Sequence, residues 1–234
     1  MIYNFKQLAE GYVNKEGKAL KVNKLMRSGY ISPIEEHLKF INSLGDITLF
    51  DFRSSSEIER EPNFTELKVE YYPLGKKVNE KQMNANALSF QTSDMVAFYQ
   101  NGFTECEYLH RAVRDIVLNP RPVLYHCSAG KDRTGVFSIV LMHILDFDYQ
   151  AQLNHYLELD PRFVEHAKAK FKMLYPELDD SGFEDLLTVK QEYFEAFYQA
   201  IVDTYGDFDS FVAEFFELSS DDIENFKQFC LQDS

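Results

Sequence analysis

Cys127 and Arg133 are separated by five residues in the run His126-Cys127-Ser128-Ala129-Gly130-Lys131-Asp132-Arg133-Thr134-Gly135. A strand-like run, Val123-Leu124-Tyr125, leads in, and a helix-like run, Val136-Phe137-Ser138-Ile139-Val140-Leu141, leads out. A loop that closes onto a helix N-terminus points several backbone N–H groups at one spot, which makes an anion site before any side chain is counted. Cys127 is expected on its floor, with Arg133 folded back so that its guanidinium fork faces the oxygens of a phosphate. Ser128, Ala129, Gly130, Lys131 and Gly135 complete the expected substrate-binding positions, Lys131 through its charge.

Hydrolysis of a phosphate ester through a cysteine needs a thiolate, whereas a free thiol, with a pKa of about 8.5, is mostly protonated at neutral pH. The helix start, Arg133, Lys131 and His126 are the groups that would favour the charged sulfur. Thr134 can donate its hydroxyl to the sulfur and help it depart in the second step. The expected course is attack by Cys127 on phosphorus, a phosphocysteine intermediate and hydrolysis by water. Arg133 and the loop amides would stabilise the equatorial oxygens in both transition states.

An acid must protonate the leaving oxygen and later activate the water. Asp132, inside the loop, is the first candidate. Asp51, at the C-terminal end of an expected sheet strand, is the alternative, because ligands gather at that edge of parallel sheets. An equal reading makes Asp51 a salt-bridge partner of Arg53 or Arg27. Asp94 ranks third. A nucleotide-binding Walker loop is excluded, since Tyr125 and Asp132 occupy positions where that motif needs Gly and Ser or Thr.

The elements that must position this loop are legible in outline. Residues 47–52 and 67–72 read as strands, and 123–125 as a third in the same sheet. Helical patterns between them imply βα crossovers and a largely parallel sheet. Ser32, Pro33 and Glu35 predict a capped helix start, with Gly45 closing the far end. Residues 75–91 are polar and read as a loop or a flap, and 75–105 as a candidate lid. Leu109, Val113, Ile116 and Val117 mark a helix before the Asn119-Pro120-Arg121-Pro122 break. Beyond the loop the pattern is helical throughout: Asp160-Pro161 opens one helix, and a Thr188/Gln191 capping box opens another that ends near Gly206. The aromatic stripes along these helices read as core. The expected fold class is α/β, a central sheet flanked by helices with a helical C-terminal half, in a single domain over 1–234.

With 24 basic and 38 acidic residues the chain carries a net charge of −14. That balance argues against nucleic acid and against stable association with an anionic membrane surface. Cys106, Cys127 and Cys230 lack CxxC spacing and are odd in number, which disfavours a disulfide framework or a zinc site and suits a reducing compartment. Cys106 and Cys230 read as packing residues in helices, and His37, His110, His143, His155 and His166 show no metal spacing. No apolar run approaches ~18 residues, the usual minimum for a membrane span, and no leader pattern opens at Met1. The expectation is a soluble, cytoplasmic protein without a metal or cofactor, with secretion by a leaderless route left open.

The loop resembles that of the cysteine-based protein-tyrosine phosphatase superfamily, and more narrowly a bacterial branch with the signature His-Cys-x-Ala-Gly-Lys-Asp-Arg-Thr-Gly, matched here from His126 to Gly135. Softer matches are Asn4-Phe5, Arg27-Ser28-Gly29, Asp51-Phe52-Arg53 with Glu57, Glu192-Tyr193-Phe194 and Tyr205-Gly206. The resemblance implies a parallel-type sheet flanked by helices, no metal, and a helical lid in some members. It implies action on phosphotyrosine, in some members on phosphoserine or phosphothreonine, and in several on phosphoinositides. Lys131 and Asp132 resemble the loop residues that accompany the broader activity. Family members often carry Asn-Phe-Arg-Asp near the N-terminus, whereas this chain has Asn4-Phe5-Lys6-Gln7, which weakens a charge role there and turns the choice of acid toward Asp132. The chain has no Trp, so a Trp-Pro-Asp flap is absent. The expected partner is a phosphorylated protein or a phosphoinositide; the competing readings are a catalytically inactive phosphate-binding module and, more remotely, a sulfurtransferase.

Overall fold

Three four-residue strands, β3 (Leu25–Ser28), β4 (Thr48–Asp51) and β6 (Val123–His126), form the parallel centre of the sheet, and all twelve residues are buried. The computed structural model describes residues 2–73, 92–174 and 180–234. Strand β5 (Val69–Tyr71) extends the sheet in parallel beyond β4, and β1 (Lys6–Gln7) adds an antiparallel edge, giving the order β1-β3-β6-β4-β5. The largely parallel sheet is thus as expected. Two of its strands, β1 and β3, come from the first thirty residues, where no strand was expected.

Side chains alternate across a strand, and the sheet separates two cores. Leu25, Phe50, Val123 and Tyr125 join the larger one, and Met26, Leu49 and Leu124 the smaller. The smaller core is closed by helix α1 (Glu35–Ser43) through Ile41 and Leu38. The expected cap is displaced by two residues: Ile34 is the N-cap, and its apolar side chain has no acceptor to offer the first turn, while the Ser32 carbonyl accepts from the Ile34 N–H and faces the His37 ring. Helix α2 (Ser55–Arg60) follows β4 and has a full capping box, with Ser54 and Glu57 satisfying each other's backbone N–H.

The larger core is built from helices α3 (Thr92–Gly102), α4 (Glu107–Leu118), α5 (Asp132–Ile144), α6 (Tyr149–Leu157), α9 (Gln191–Tyr205), α10 (Phe208–Phe216) and α11 (Ser220–Cys230). Helices α7 (Pro161–Leu174) and α8 (Asp180–Leu187) lie between α6 and α9 in the chain. Helix α5 is enclosed on every side: every residue from Thr134 to Met142 is buried, and from Val136 to Met142 all but Ser138 are apolar. The aromatic stripes are core: Tyr193, Phe194, Phe197, Phe211 and Phe226 are fully buried.

Three expectations need correction. The Thr188/Gln191 capping box does not form; the Thr188 hydroxyl bonds back to the Glu184 carbonyl, and Lys190 is the N-cap of α9. The chain after the loop is not helical to its end, since β7 (Leu231–Asp233) pairs antiparallel with β2 (Lys18–Leu20). Cys106 is buried at the N-cap of α4 rather than within a helix. The flap expected over 75–91 lies outside the described residues; the remainder of the candidate lid contains α3.

Candidate active site

The loop from Cys127 to Lys131 leaves the C-terminal end of β6 and enters α5, with Lys131 as N-cap. Its carbonyls are held from outside. Tyr30 N–H donates to Ser128 O at 3.0 Å, Asn4 Nδ2 to Ala129 O at 2.7 Å, and Arg27 Nη2 to Gly130 O at 2.7 Å. A trans peptide sets its C=O and N–H in opposite directions, and among the described residues no peptide bond is cis. Tying these three carbonyls back therefore turns the N–H groups of Ala129, Gly130 and Lys131 the other way. The Gly130 N–H indeed reaches Cys127 Sγ, at 3.2 Å. Gly130 has φ +71°, and a Cβ there would fall 2.4 Å from Gly29 N and Ser28 O. Only glycine fits, which ties the loop to the Arg27-Ser28-Gly29 turn.

Cys127 is 2% exposed, at the bottom of this cradle. Thr134, one turn into α5, donates its hydroxyl to the same sulfur at 3.2 Å. The sulfur thus receives two hydrogen-bond donors at a helix N-terminus. His126, by contrast, brings no charge. Its ring is buried, burial holds it below the ordinary histidine pKa despite Asp51 at 3.7 Å, and Nδ1 faces the Cys127 carbonyl at 3.2 Å.

Arg133 is oriented by Glu57. Nη1 and Nη2 donate to the two carboxylate oxygens at 2.7 and 2.9 Å, and Nη1 also donates to Phe52 O at 3.0 Å. A guanidinium has five N–H donors, so the Nε–H and one Nη2–H remain, sharing one edge, and among the described residues nothing accepts from them. Two parallel donors on one edge are what a phosphate accepts. Glu57 also accepts from the Ser54 N–H at 2.8 Å and from the Ser128 hydroxyl. One carboxylate therefore caps α2, pins the loop and aims Arg133. Arg133 and these donors together hold the Glu57 carboxyl well below the usual carboxylate range, against the desolvation that burial imposes.

Asp132 begins α5, and its Oδ1 accepts from Tyr99 Oη at 2.8 Å and from Lys131 Nζ at 3.0 Å. Lys131 Nζ also donates to Thr188 O at 3.2 Å, so its ammonium is engaged at Asp132 and at the α8–α9 connection. Gly135, expected at the substrate, stands in the first turn of α5, where a Cβ would lie 3.1 Å from the Tyr156 ring. Its role in the structure is to let Tyr156 approach.

Asp51 takes the other of its two readings. Its carboxylate is fully buried and receives Arg53 Nε at 3.0 and 3.1 Å, Arg53 Nη2 at 2.8 Å and Asn63 Nδ2 at 2.7 Å. Burial opposes its ionisation, but the Arg53 guanidinium and the Arg53 backbone N–H hold its pKa below the ordinary value. An ionised carboxylate with that many donors has no proton to give, and Asp51 is a structural ion-pair partner of Arg53. Asp94 lies in the first turn of α3.

Glu57, Asn4, Arg27 and Tyr99 carry the site without having been assigned to it from sequence. The first had a readable signal, Ser54-x-x-Glu57 as a capping box directly after a strand. Lys6, where a charge role was thought weakened, has one. Its ammonium donates to His155 O at 2.8 Å and Glu158 Oε2 at 2.9 Å, and burial lowers its pKa to about 8.

Comparison with known proteins places this geometry among relatives. The pattern of the family described as "Tyrosine phosphatase family" matches residues 1–232. The triple specificity protein phosphatase PtpB of Mycobacterium tuberculosis is 31% identical over 141 residues, 55% of this chain and 50% of that protein. The chain thus matches half the length of that relative. A putative tyrosine-protein phosphatase of Cupriavidus necator is 24% identical over 219 residues, covering 89% of this chain and 80% of that protein. Among solved structures, the catalytic core of the PP-IP phosphatase SIW14 from S. cerevisiae shares 17% identity at a TM-score of 0.36, covering 84% of this chain and 96% of that one. TpbA of P. aeruginosa shares 19% at 0.34, covering 70% and 86%. No helix among the described residues is long and apolar enough to cross a membrane.

Proposed function

The chain belongs to the tyrosine phosphatase family, and we propose that it hydrolyses phosphate monoesters through a phosphocysteine on Cys127. The observation that carries this reading is the convergence of Thr134 Oγ1 and Gly130 N on Cys127 Sγ, each at 3.2 Å, in a loop whose Arg133 is held with one donor edge unspent. Cys127 Sγ attacks phosphorus in line with the departing oxygen, and the P–O bond breaks as S–P forms. The Asp132 carboxyl gives its proton to that oxygen. Arg133 and the loop amides hold the equatorial oxygens throughout. Water then attacks the phosphocysteine, the Asp132 carboxylate takes its proton, and Cys127 leaves as thiolate with the Thr134 hydroxyl bonded to it. Ser128, Ala129 and Gly130 form the cradle, and Lys131 steadies the acid beside it. The whole chain, 1–234, acts as one domain in this reading.

Phosphotyrosine is the first substrate class, with phosphoserine and phosphothreonine behind it. A second reading, phosphoinositide hydrolysis in the bacterial branch to which the loop is similar, has a specific motive. Lys131 and Asp132 stand together at the loop, and the mycobacterial relative is named a triple specificity phosphatase. The cytoplasm is the proposed location. The test is hydrolysis of an aryl phosphate by the whole chain, sensitive to vanadate and lost in Cys127→Ser. Undiminished turnover by that variant would refute the mechanism, and phosphopeptide binding without any turnover would make the protein a binding module. A panel of phosphopeptides against phosphoinositides decides the substrate.

A further inference from the structure

We infer that Tyr99 and Tyr156 are positioning residues for the acid, a hydrogen-bonded pair that reserves one oxygen of Asp132 for the transferred proton; this rests on the phosphatase reading. Tyr99 comes from α3 and Tyr156 from α6, and neither belongs to the loop. Tyr156 Oη donates to Tyr99 Oη at 2.9 Å, and Tyr99 Oη donates to Asp132 Oδ1 at 2.8 Å. The direction follows from chemistry. An ionised carboxylate only accepts, so Tyr99 gives it its one proton and must itself accept from Tyr156. A hydroxyl that accepts a bond becomes a better donor, so the second tyrosine strengthens the first.

Both phenols are buried, and burial beside Asp132 pushes their pKa values well above the ordinary tyrosine value, which keeps them protonated as donors. The rings are locked in place. Tyr193 stacks on Tyr99 with centroids 5.6 Å apart, Phe103 meets it edge-on at 5.3 Å, and Gly135 leaves the room that Tyr156 occupies.

Lys131 Nζ, at 3.0 Å, is the second donor on Oδ1, and among the described residues none reaches Oδ2. Two donors facing Oδ1 exclude a proton from it, so the acid form carries its hydrogen on Oδ2. The carboxyl is 23% exposed, and its rotation is fixed by the same two bonds. A loop aspartate of ordinary flexibility would have to find that orientation in each turnover. Here it is built in from two helices outside the loop.

The experiment measures kcat and KM for wild type, Tyr99→Phe, Tyr156→Phe, Asp132→Asn and the Tyr99→Phe/Asp132→Asn double variant, on phosphate esters ranging from good aryl to poor alkyl leaving groups. Tyr99→Phe should lower kcat on poor leaving groups ~10-fold, with less than ~2-fold change on good ones and little change in KM. Tyr156→Phe, which leaves the Tyr99 bond in place, should show the same selectivity at roughly 3-fold. Tyr99→Phe should add nothing once Asp132 is Asn. A uniform loss across leaving groups, no loss at all, or full additivity with Asp132→Asn would overturn the positioning role while leaving the phosphatase reading intact. Absence of turnover by the wild type would overturn both. Where Tyr99→Phe fails to fold, the leaving-group dependence of Tyr156→Phe decides alone.

Discussion

Glu57 and Arg133 meet fork to fork across 76 residues of sequence, with N–O distances of 2.7 and 2.9 Å and both side chains largely buried. The pair fixes which edge of the guanidinium faces the loop. Glu57→Gln keeps the shape but replaces one acceptor by a donor, and leaves Arg133 free to rotate. It is expected to reduce kcat/KM on an aryl phosphate by roughly 10- to 100-fold, the usual cost of losing orientation at a charged hydrogen-bonded centre. Steady-state kinetics at neutral pH measure this, and an unchanged kcat/KM would show that the loop alone orients Arg133.

The same pair makes stability depend on acid. The Glu57 pKa is lowered in the folded state. A depressed carboxylate stabilises the fold at pH above its unfolded pKa, and that contribution is lost as pH falls toward the folded value. The stability difference between wild type and Glu57→Gln is therefore expected to be full above about pH 5 and to shrink steadily below ~4.5, the ordinary glutamate range. Urea melts at several pH values check it; a difference independent of pH would mean that the ion pair contributes nothing to the fold.

Gly130→Ala tests the cradle. At φ +71° with backbone atoms 2.4 Å from the added carbon, neither strain nor clash can be relieved by a side-chain rotation. The expected loss is ~3 kcal/mol or more, a fall in melting temperature of roughly 6–12 °C for a domain of this size. Activity should fall with it, because the Gly130 N–H is also a donor to the sulfur.

Thr134→Ala removes the other donor to that sulfur. Attack by Cys127 is then less affected than its departure, so phosphocysteine should accumulate, with a burst of product on a good leaving group followed by a steady state ~10-fold slower. Thr134→Ser, which keeps the hydroxyl, should restore the rate. Rapid-quench detection of phosphoenzyme distinguishes this from a general loss of loop geometry, which would slow both steps alike.

What could be read from sequence was local. The loop, the Asp160-Pro161 helix start and the Gly206 stop are written in neighbouring residues, and so are the strands around Leu49 and Leu124. What positions the loop is not. Asn4 meets Ala129, Arg27 meets Gly130, and Tyr99 meets Asp132 only once the sheet has brought β3 and α3 beside the loop. Strand β3 itself hid behind a fully buried arginine, which breaks the apolar alternation that marks a strand. The two failed caps have different causes: helix α1 starts two residues after Ser32, at an Ile34 N-cap, and the Thr188 hydroxyl is turned back onto the Glu184 carbonyl. Asp51 was placed at the correct sheet edge, but its carboxylate was already committed to Arg53, an outcome that turns on side-chain geometry rather than on topology.

His155 gives the last expected outcome. It lies on α6 directly before Tyr156, 1% exposed, with both ring nitrogens buried and, among the described residues, without a hydrogen-bond partner. Burial is the main cause that holds its pKa well below the ordinary histidine value, and the cations of Lys6 and Arg27 push the same way. The folded ring is thus neutral where the unfolded ring takes up a proton, and the unfolded state binds more protons as pH falls through about 6.5. Stability should decline from pH 7 to pH 5, and His126, whose pKa is also lowered, adds to the decline in the same direction. His155→Leu removes the orphaned nitrogens and the uptake together. It should flatten the profile over this range and cost little or nothing at pH 7. A variant whose stability still falls as steeply as wild type between pH 7 and 5 would show that the proton is taken up elsewhere.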